Sequence, residues 1–517
     1  GLGAGEILIL TVGTGASDDP SLAPRFSSAA FAPVLLADVT GDERFVWVPT
    51  DDSVAVRAAG PERVELIVPS QARIGSPVSV TVRLRDSFGN IARPAGRVNV
   101  ELWMENAPQE RVEVSFAENG PGWLRIDGPV PGETGVVRVL GRSDLSDGEV
   151  YSNPVRILED EPGLMVFWAD LHGHSQQSDG CGPADEYYRF ARGPAALDVA
   201  ALSDHEWQLD AEEWAEKQRL CRACDEPSGF VPYLAWEYSL GGHRVVYAKD
   251  CGYLPPRAAF DGPKELWQVE YNHAQIHAWS QDDTGRALRD WGDPRQVFAD
   301  HAGKEALVVP HTPATWHMGN DWDSHDPQLT PLVEIYSTHG SSEAADSSRP
   351  VNLYVDRGSV RTALARGYRL GFVACGDSHD GKPGLSLSGP YSGGLTAVSA
   401  ARLDRDAVWD ALVSRRTWAT TGARVLVDFK VDGTPPGSVV RTTGNPKVSF
   451  EVHGTDFIES VEVIANGRIV HTETPSTRDA SGTFDDQRFK GWSSYYLRVT
   501  QRDGHLAWSS PVWAASV

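Results

Sequence analysis

Apolar and polar positions along the 517-residue chain change their period twice. Residues 1 to about 60 carry short β-type runs, at 7–12 and 45–48, separated by turns. The triplet Gly13, Thr14, Gly15 is too short for a nucleotide fingerprint, which needs a helix directly after it. From Glu62 a period of two sharpens. Val78, Val80, Val82 and Leu84 alternate with Ser79, Thr81 and Arg83; a turn at 86–90 follows; then Val98, Val100 and Leu102 alternate again. Runs at 136–140 and 154–157 extend the pattern, which predicts an antiparallel sandwich.

A polar linker at 159–163 ends that texture. From 164 to about 420, short apolar runs alternate with helical stretches at 183–192, 210–224, 263–280 and 351–367. Such βα alternation predicts a parallel sheet or barrel. After Thr420, Thr421 and Gly422 the period returns to two, with Val425, Val427, Phe429 and Val431 alternating. Asn466-Gly467 marks a hairpin turn, and runs at 495–499 and 507–509 supply late strands. The expected domains are 1–160, 161–422 and 423–517: a β-rich domain, an α/β barrel and a β-sandwich. The first resembles the Ig-like modules of bacterial multidomain proteins.

Composition narrows the function classes. Hydrophobic residues at 41% and charged residues at 23% suit a globular protein, and the length exceeds what one core organises. A net charge of −24 argues against nucleic acid and against an anionic membrane surface. It leaves room for an anionic small molecule, because bound metal ions invert the local potential. No run of about 18 apolar residues predicts a membrane span. No leader pattern is visible at Gly1, so the expected address is cytoplasmic. Five cysteines, odd and sparse, do not read as a disulfide framework. Cys221-x-x-Cys224 lacks a second pair and sits on a predicted helix, which favours packing over zinc or redox chemistry. Most of the 17 tryptophans are assigned to packing in and between domains.

Histidine placement carries the chemistry. Of 15 histidines, only His453, His471 and His505 lie outside the middle section. Six apolar runs there end in metal-ligand residue types. The run 164–169 leads to Asp170, His172, His174 and Asp179, and 197–202 leads to Asp204 and His205. The run 230–236 ends in Glu237, 306–310 in His311, 332–337 in His339, and 370–376 in Asp377 and His379. A (β/α) barrel opens all its strand ends on one face, so ligands scattered over the chain converge there. Imidazole and carboxylate together suit a cluster of divalent transition ions.

These residues resemble the PHP superfamily, named for polymerase and histidinol phosphatase domains. The segments around Trp236-Glu237, Gly242-His243, 339–343 and 376–384 look like a subfamily whose barrel carries extra β-domains. The resemblance implies a distorted (β/α)7 barrel and two or three Zn, Mn or Fe ions. It also implies a metal-bridging hydroxide acting on a phosphate mono- or diester. By resemblance, His172, His174, Glu237 and Asp377 hold one ion. Glu237, as a bridge, joins His311 and His339 on a second, and Asp179, His205 and His379 hold a third.

Around that set, Asp170 and Asp204 are candidates to orient imidazoles or shuttle a proton, with turn capping as the alternative. Glu237, Asp204 and His243 are the candidate catalytic residues. His243, Arg244, Lys249, Arg357 and Lys382 are candidates to bind an anionic substrate, though each alone reads as an ordinary surface charge. His317 and His325 are placed at the substrate mouth, and His273 with His277 are read as structural. The alternative functions are a metallohydrolase cutting a C–O or C–N bond, and an inactive barrel in a glycan- or protein-binding module.

Overall fold

The computed structural model describes residues 27–31, 35–37, 46–48, 54–239, 242–253, 295–316, 318–320 and 322–517. The strand expected at 7–12, the helix expected at 263–280, and His273, His277 and His317 lie outside them. The chain is mostly β and multidomain, 42% strand against 12% helix.

The N-terminal alternation does form antiparallel sheets. Arg63–Ile67, Ser79–Arg85 and Trp123–Asp127 make one, and Val98–Met104 pairs with Ala107–Phe116 and Val139–Ser143 in another. Val80, Val82, Leu84, Val100, Leu102 and Val139 fill the space between them. The outer face of Ser79–Arg85 is buried as well, because it docks on the middle section. Arg83 pairs with Glu65 at 2.8 Å and donates to the Pro194 carbonyl at 3.1 Å.

In the middle section, Met165–Asp170, Val199–Leu202 and Val231–Tyr238 run parallel. The helices Ala184–Arg192 and Ala211–Cys224 make the crossovers that parallel pairing requires. The second of these begins on a capping box: Asp210 accepts from the amides of Glu212 and Glu213, and Glu213 reaches back to the Asp210 amide. The alternation then breaks. Arg244–Ala248 follows after a short turn and so inserts antiparallel, between Val231–Tyr238 and Ala306–Pro310. Leu332–Ser337 and Gly371–Ala374 form a separate parallel pair. Among the described residues these ladders do not close into the expected barrel; two sheets share one core through Val309, Leu332, Val373 and Cys375. The helix expected over 351–367 is also shorter. Only Val360–Ala365 is helical, N-capped by Ser359 after a 3-10 turn at Asp356–Gly358.

The C-terminal strands do not stand apart. The largest sheet passes from Met165–Asp170 through Leu395–Ala400 and Thr417–Thr420 to Leu506–Ser509, Trp492–Gln501 and Ile458–Ala465. A second sheet, Leu426–Val431, Lys447–His453 and Asp479–Asp485, packs on it through Val425, Phe429, Phe450 and Val463.

One cysteine expectation is corrected. Cys221 is bonded to Cys251, 30 positions later on the turn after Arg244–Ala248, while Cys224 is a free thiol. The partner comes from a strand that folds back beside the helix, which local spacing does not reveal.

Candidate metal centre

All nine sequence-derived ligands converge at one end of the strands. The strand that starts the middle section is tied there to the loop after Gly371–Ala374. Asp170 accepts from the amides of Gly376 at 2.7 Å, Gly384 at 2.7 Å and His172 at 3.4 Å. Gly376 is required for this approach, since a Cβ there would lie 2.4 Å from an Asp170 carboxylate oxygen. Asp377 then turns into the left-handed region at φ 47°, as Thr312 does beside His311 at φ 43°. These backbone conformations cost about 1–3 kcal/mol each and cluster at functional sites.

The group that offers four ligand atoms is His172, His174, Glu237 and Asp377. His172 Nε2 lies 3.2 Å from Glu237 Oε2 and 3.5 Å from Asp377 Oδ1; His174 Nε2 lies 3.2 and 3.4 Å from the same two oxygens. A tetrahedral ion with bonds of about 2.0–2.1 Å holds its ligand atoms about 3.3–3.4 Å apart. The four spacings fit that geometry. His174 Nε2 is buried and has no hydrogen-bond partner, as expected of a lone pair reserved for a cation.

A second group is His311, His339 and Asp377, whose Oδ2 lies 3.5 Å from His311 Nε2 and 2.9 Å from His339 Nε2. Asp377 thus gives one oxygen to each group. The sequence makes Glu237 the expected bridge, and its other oxygen faces His243 Nδ1, with Glu237, His243 and His311 forming a further cluster. A third group gathers on Asp179, with His174 Nδ1, His205 Nε2 and His379 Nε2 each 3.4 Å from its carboxylate.

The electrostatics show a nest that demands positive charge. Burial alone would raise the carboxyls of Glu237, Asp377 and Asp179. The surrounding imidazoles reverse that and hold all three well below the usual range. Burial would lower the histidines in turn, yet Glu237 and Asp179 push His205 up to about 9, and Asp179 pushes His379 up to about 10. Protons on these rings supply charge that divalent ions would supply instead. His243 is the exception: burial outweighs Glu237 and lowers it.

Several residues take other places than expected. Asp204 touches no ligand histidine through a hydrogen bond. It accepts from the Ser175 amide at 2.7 Å, from Ser178 Oγ at 2.8 Å, and pairs with the buried Lys217 at 2.8 Å. It anchors the 175–178 turn, the capping role given as the alternative for it. Lys249 lies at the far end of its strand, paired with Glu305 and Asp406. Lys382 Nζ is held by Ser27 and Asn90 of the N-terminal section. Arg244 is buried against the Gly242 carbonyl and the Phe298 ring, Arg357 lies on the 3-10 turn, and His325 stacks on Tyr368.

The residue the sequence reading missed is Glu334. Its carboxylate accepts from His172 Nδ1 at 3.0 Å and His311 Nδ1 at 2.7 Å, which fixes both tautomers and turns both Nε2 atoms toward Asp377. The signal was an acid within the otherwise apolar, fully buried strand Leu332–Ser337.

Comparisons with known proteins are consistent in extent and sparse in function. The family model described as a protein of unknown function (DUF3604) matches residues 384–433. An uncharacterised protein of Chlamydia pneumoniae is 26% identical over 516 residues, covering 93% of this chain and 78% of that protein. One of Chlamydia trachomatis is 27% identical over 488 residues, covering 87% and 74%. Among solved structures, the chain is similar to a two-domain protein of Bacteroides vulgatus containing a predicted PHP-like metal-dependent phosphoesterase. The identity is 14%, the coverage 68% of this chain and 96% of that one, and the TM-score 0.32. Likeness at that level fixes neither fold nor function.

Proposed function

We propose that this chain is a metal-dependent hydrolase of the PHP type whose substrate is a small phosphate ester. The observation that carries the reading is the His172, His174, Glu237, Asp377 quartet, with cross-distances of 3.2–3.5 Å around a buried imidazole lone pair. When bound, two or three Zn, Mn or Fe ions would activate water and polarise the phosphoryl group.

The chain's own residues supply the rest. Glu334 aims His172 and His311, and Ser239 holds His205 through Nδ1 at 2.9 Å. His243, buried, braces Glu237 through Nδ1. His339, His379 and Asp179 are 37%, 33% and 39% exposed, whereas His172, His174, Glu237 and Asp377 are at 0–2%. The site therefore opens between the second and third groups, and substrate enters there. Four carboxylates, Asp179, Glu237, Glu334 and Asp377, balance two divalent ions, and a third leaves the opening positive within a chain of charge −24. That local inversion favours an anion.

The test is metal analysis of protein purified without chelator, followed by aryl phosphate mono-, di- and triesters beside carboxylic esters and amides with added Mn²⁺ or Zn²⁺. Two or three ions per chain and turnover of one phosphate class are expected, with Glu237→Gln abolishing it. An ion-free chain refutes the centre. A full ion load with turnover only of carboxylic esters or amides refutes the phosphate assignment.

A further inference from the structure

Near His339 in sequence, the C-terminal β-section surrounds a buried carboxylate that the proposed chemistry does not use. Glu343 follows His339 by four positions and is fully buried. It accepts from Tyr496 Oη at 2.7 Å, Trp508 Nε1 at 2.8 Å, Arg498 Nη1 at 3.1 Å and Arg361 Nη2 at 3.2 Å. Three of these four donors stand on the C-terminal strands Trp492–Gln501 and Leu506–Ser509. Charges alternate along the network: Asp346, Arg361, Glu343, Arg498 and Glu462 pair in turn at 2.8–3.2 Å.

We propose that Glu343 is a positioning residue that fixes His339 from the C-terminal section, which makes that section a working part of the second ion position. The inference rests on the reading of His311, His339 and Asp377 as that position. His172 and His311 are aimed by Glu334, and His205 by Ser239. His339 is a different case. Its Nε2 faces Asp377, its side chain is 37% exposed, and among the described residues no carboxylate or hydroxyl orients its Nδ1. Its place is set by the backbone behind it.

That backbone has no slack. The Ser341 amide donates to Arg349 O at 2.6 Å and the Ser342 amide to Ile335 O at 2.8 Å. Gly340 sits at φ 111°, where a Cβ would lie 2.7 Å from the Pro350 carbonyl. Glu343 is tied to the same run, its amide donating to Ser341 Oγ at 3.1 Å, so the segment behind His339 is held both by these bonds and by the four donors on Glu343.

The experiment measures ion binding by the full-length chain, using Mn²⁺ and Zn²⁺ in chelator competition, with ion content counted in parallel. Glu343→Gln keeps an acceptor but loses the charge. Tyr496→Phe removes one hydrogen bond from the C-terminal side and reads the same effect if Glu343→Gln does not fold. Both should weaken one ion by about 10-fold while the others keep wild-type affinity. Arg138→Met cuts a contact between the N- and C-terminal sections, to Gly454 O and Asp479, and should leave every affinity unchanged. Wild-type affinities in Tyr496→Phe, or equal loss of all ions, overturn the positioning role. A wild-type chain that binds no ion overturns the centre itself and the anchor's role with it.

Discussion

Glu334→Gln isolates the one residue that aims two ligand histidines at once. The carboxylate takes His172 Nδ1–H on one oxygen at 3.0 Å and His311 Nδ1–H on the other at 2.7 Å. Glutamine offers one acceptor oxygen and an NH2 group, so one imidazole keeps a neutral bond and the other faces a donor. A hydrogen bond to a charged group contributes about 1.5–3 kcal/mol, and a neutral one about half as much. The ion-free protein makes the same two bonds, so only the part that differs between free and loaded states enters the affinity. An orienting partner of a metal ligand is worth about 10–100-fold in affinity, which is about 1.4–2.8 kcal/mol. The assay is chelator competition together with melting at fixed ion concentration. An ion at 100 times its Kd stabilises by about 2.7 kcal/mol; weakened 10–100-fold, it stabilises by about 1.4 to 0.4 kcal/mol. Glu334→Ala, with no acceptor at all, should be weaker still. Wild-type affinity in Glu334→Gln would show that these contacts do not orient the rings, and the account of the centre would have to be rebuilt.

Three further predictions concern other parts of the molecule. Lys217→Met should destabilise the chain by about 3–5 kcal/mol, because it leaves the fully buried Asp204 without its counter-ion. Urea denaturation measures this, and adding Asp204→Asn should recover part of the loss. His301 is buried, accepts from the Tyr253 hydroxyl, and is pushed down to about 4, by burial first and by Lys304 second. The unfolded chain takes up that proton near 6.5 and the folded one does not. Stability is thus intact above 6.5 and lost as pH falls toward 4, by about 2 kcal/mol at pH 5 from this group alone. Comparing His301→Gln with wild type at pH 7 and pH 5 should show the variant losing less, and equal losses would refute the assignment. Chelator treatment at pH 7.5 should lower the melting temperature, and added Zn²⁺ or Mn²⁺ should restore it; an unchanged melt would count against the centre.

The candidate ligands were legible because each combines a short apolar run with a His, Asp or Glu at its end. That pattern survives whatever the strands do next. The strand arrangement was less legible. Arg244–Ala248 reads like any buried β-run, and only the short turn after Tyr238 makes it antiparallel. The 351–367 stretch has helical composition, yet its early residues are drawn into tertiary bonds, such as Val351 N to Ser341 O and Val355 N to Ala314 O. Asp204 and Lys382 carry the right chemistry in the right neighbourhood and are spent on Lys217 and on Ser27. Such partners come from distant positions and leave no local mark. Glu334 does leave one, but inside a strand rather than at its end, where the other ligand types stand.

The sheet that runs unbroken from Met165–Asp170 to the C-terminal strands has a consequence for how the chain is made. Thr417–Thr420 finds its outer neighbour in Leu506–Ser509, and Glu343 finds its donors between Tyr496 and Trp508. Until those two strands leave the ribosome, Thr417–Thr420 is an open edge and Glu343 a buried charge without most of its partners. Maturation of the centre is therefore tied to synthesis of Trp492–Gln501 and Leu506–Ser509. A nascent chain stalled before residue 492 should expose a sticky strand and recruit chaperones, and ions should enter only once residues 492–509 have been made.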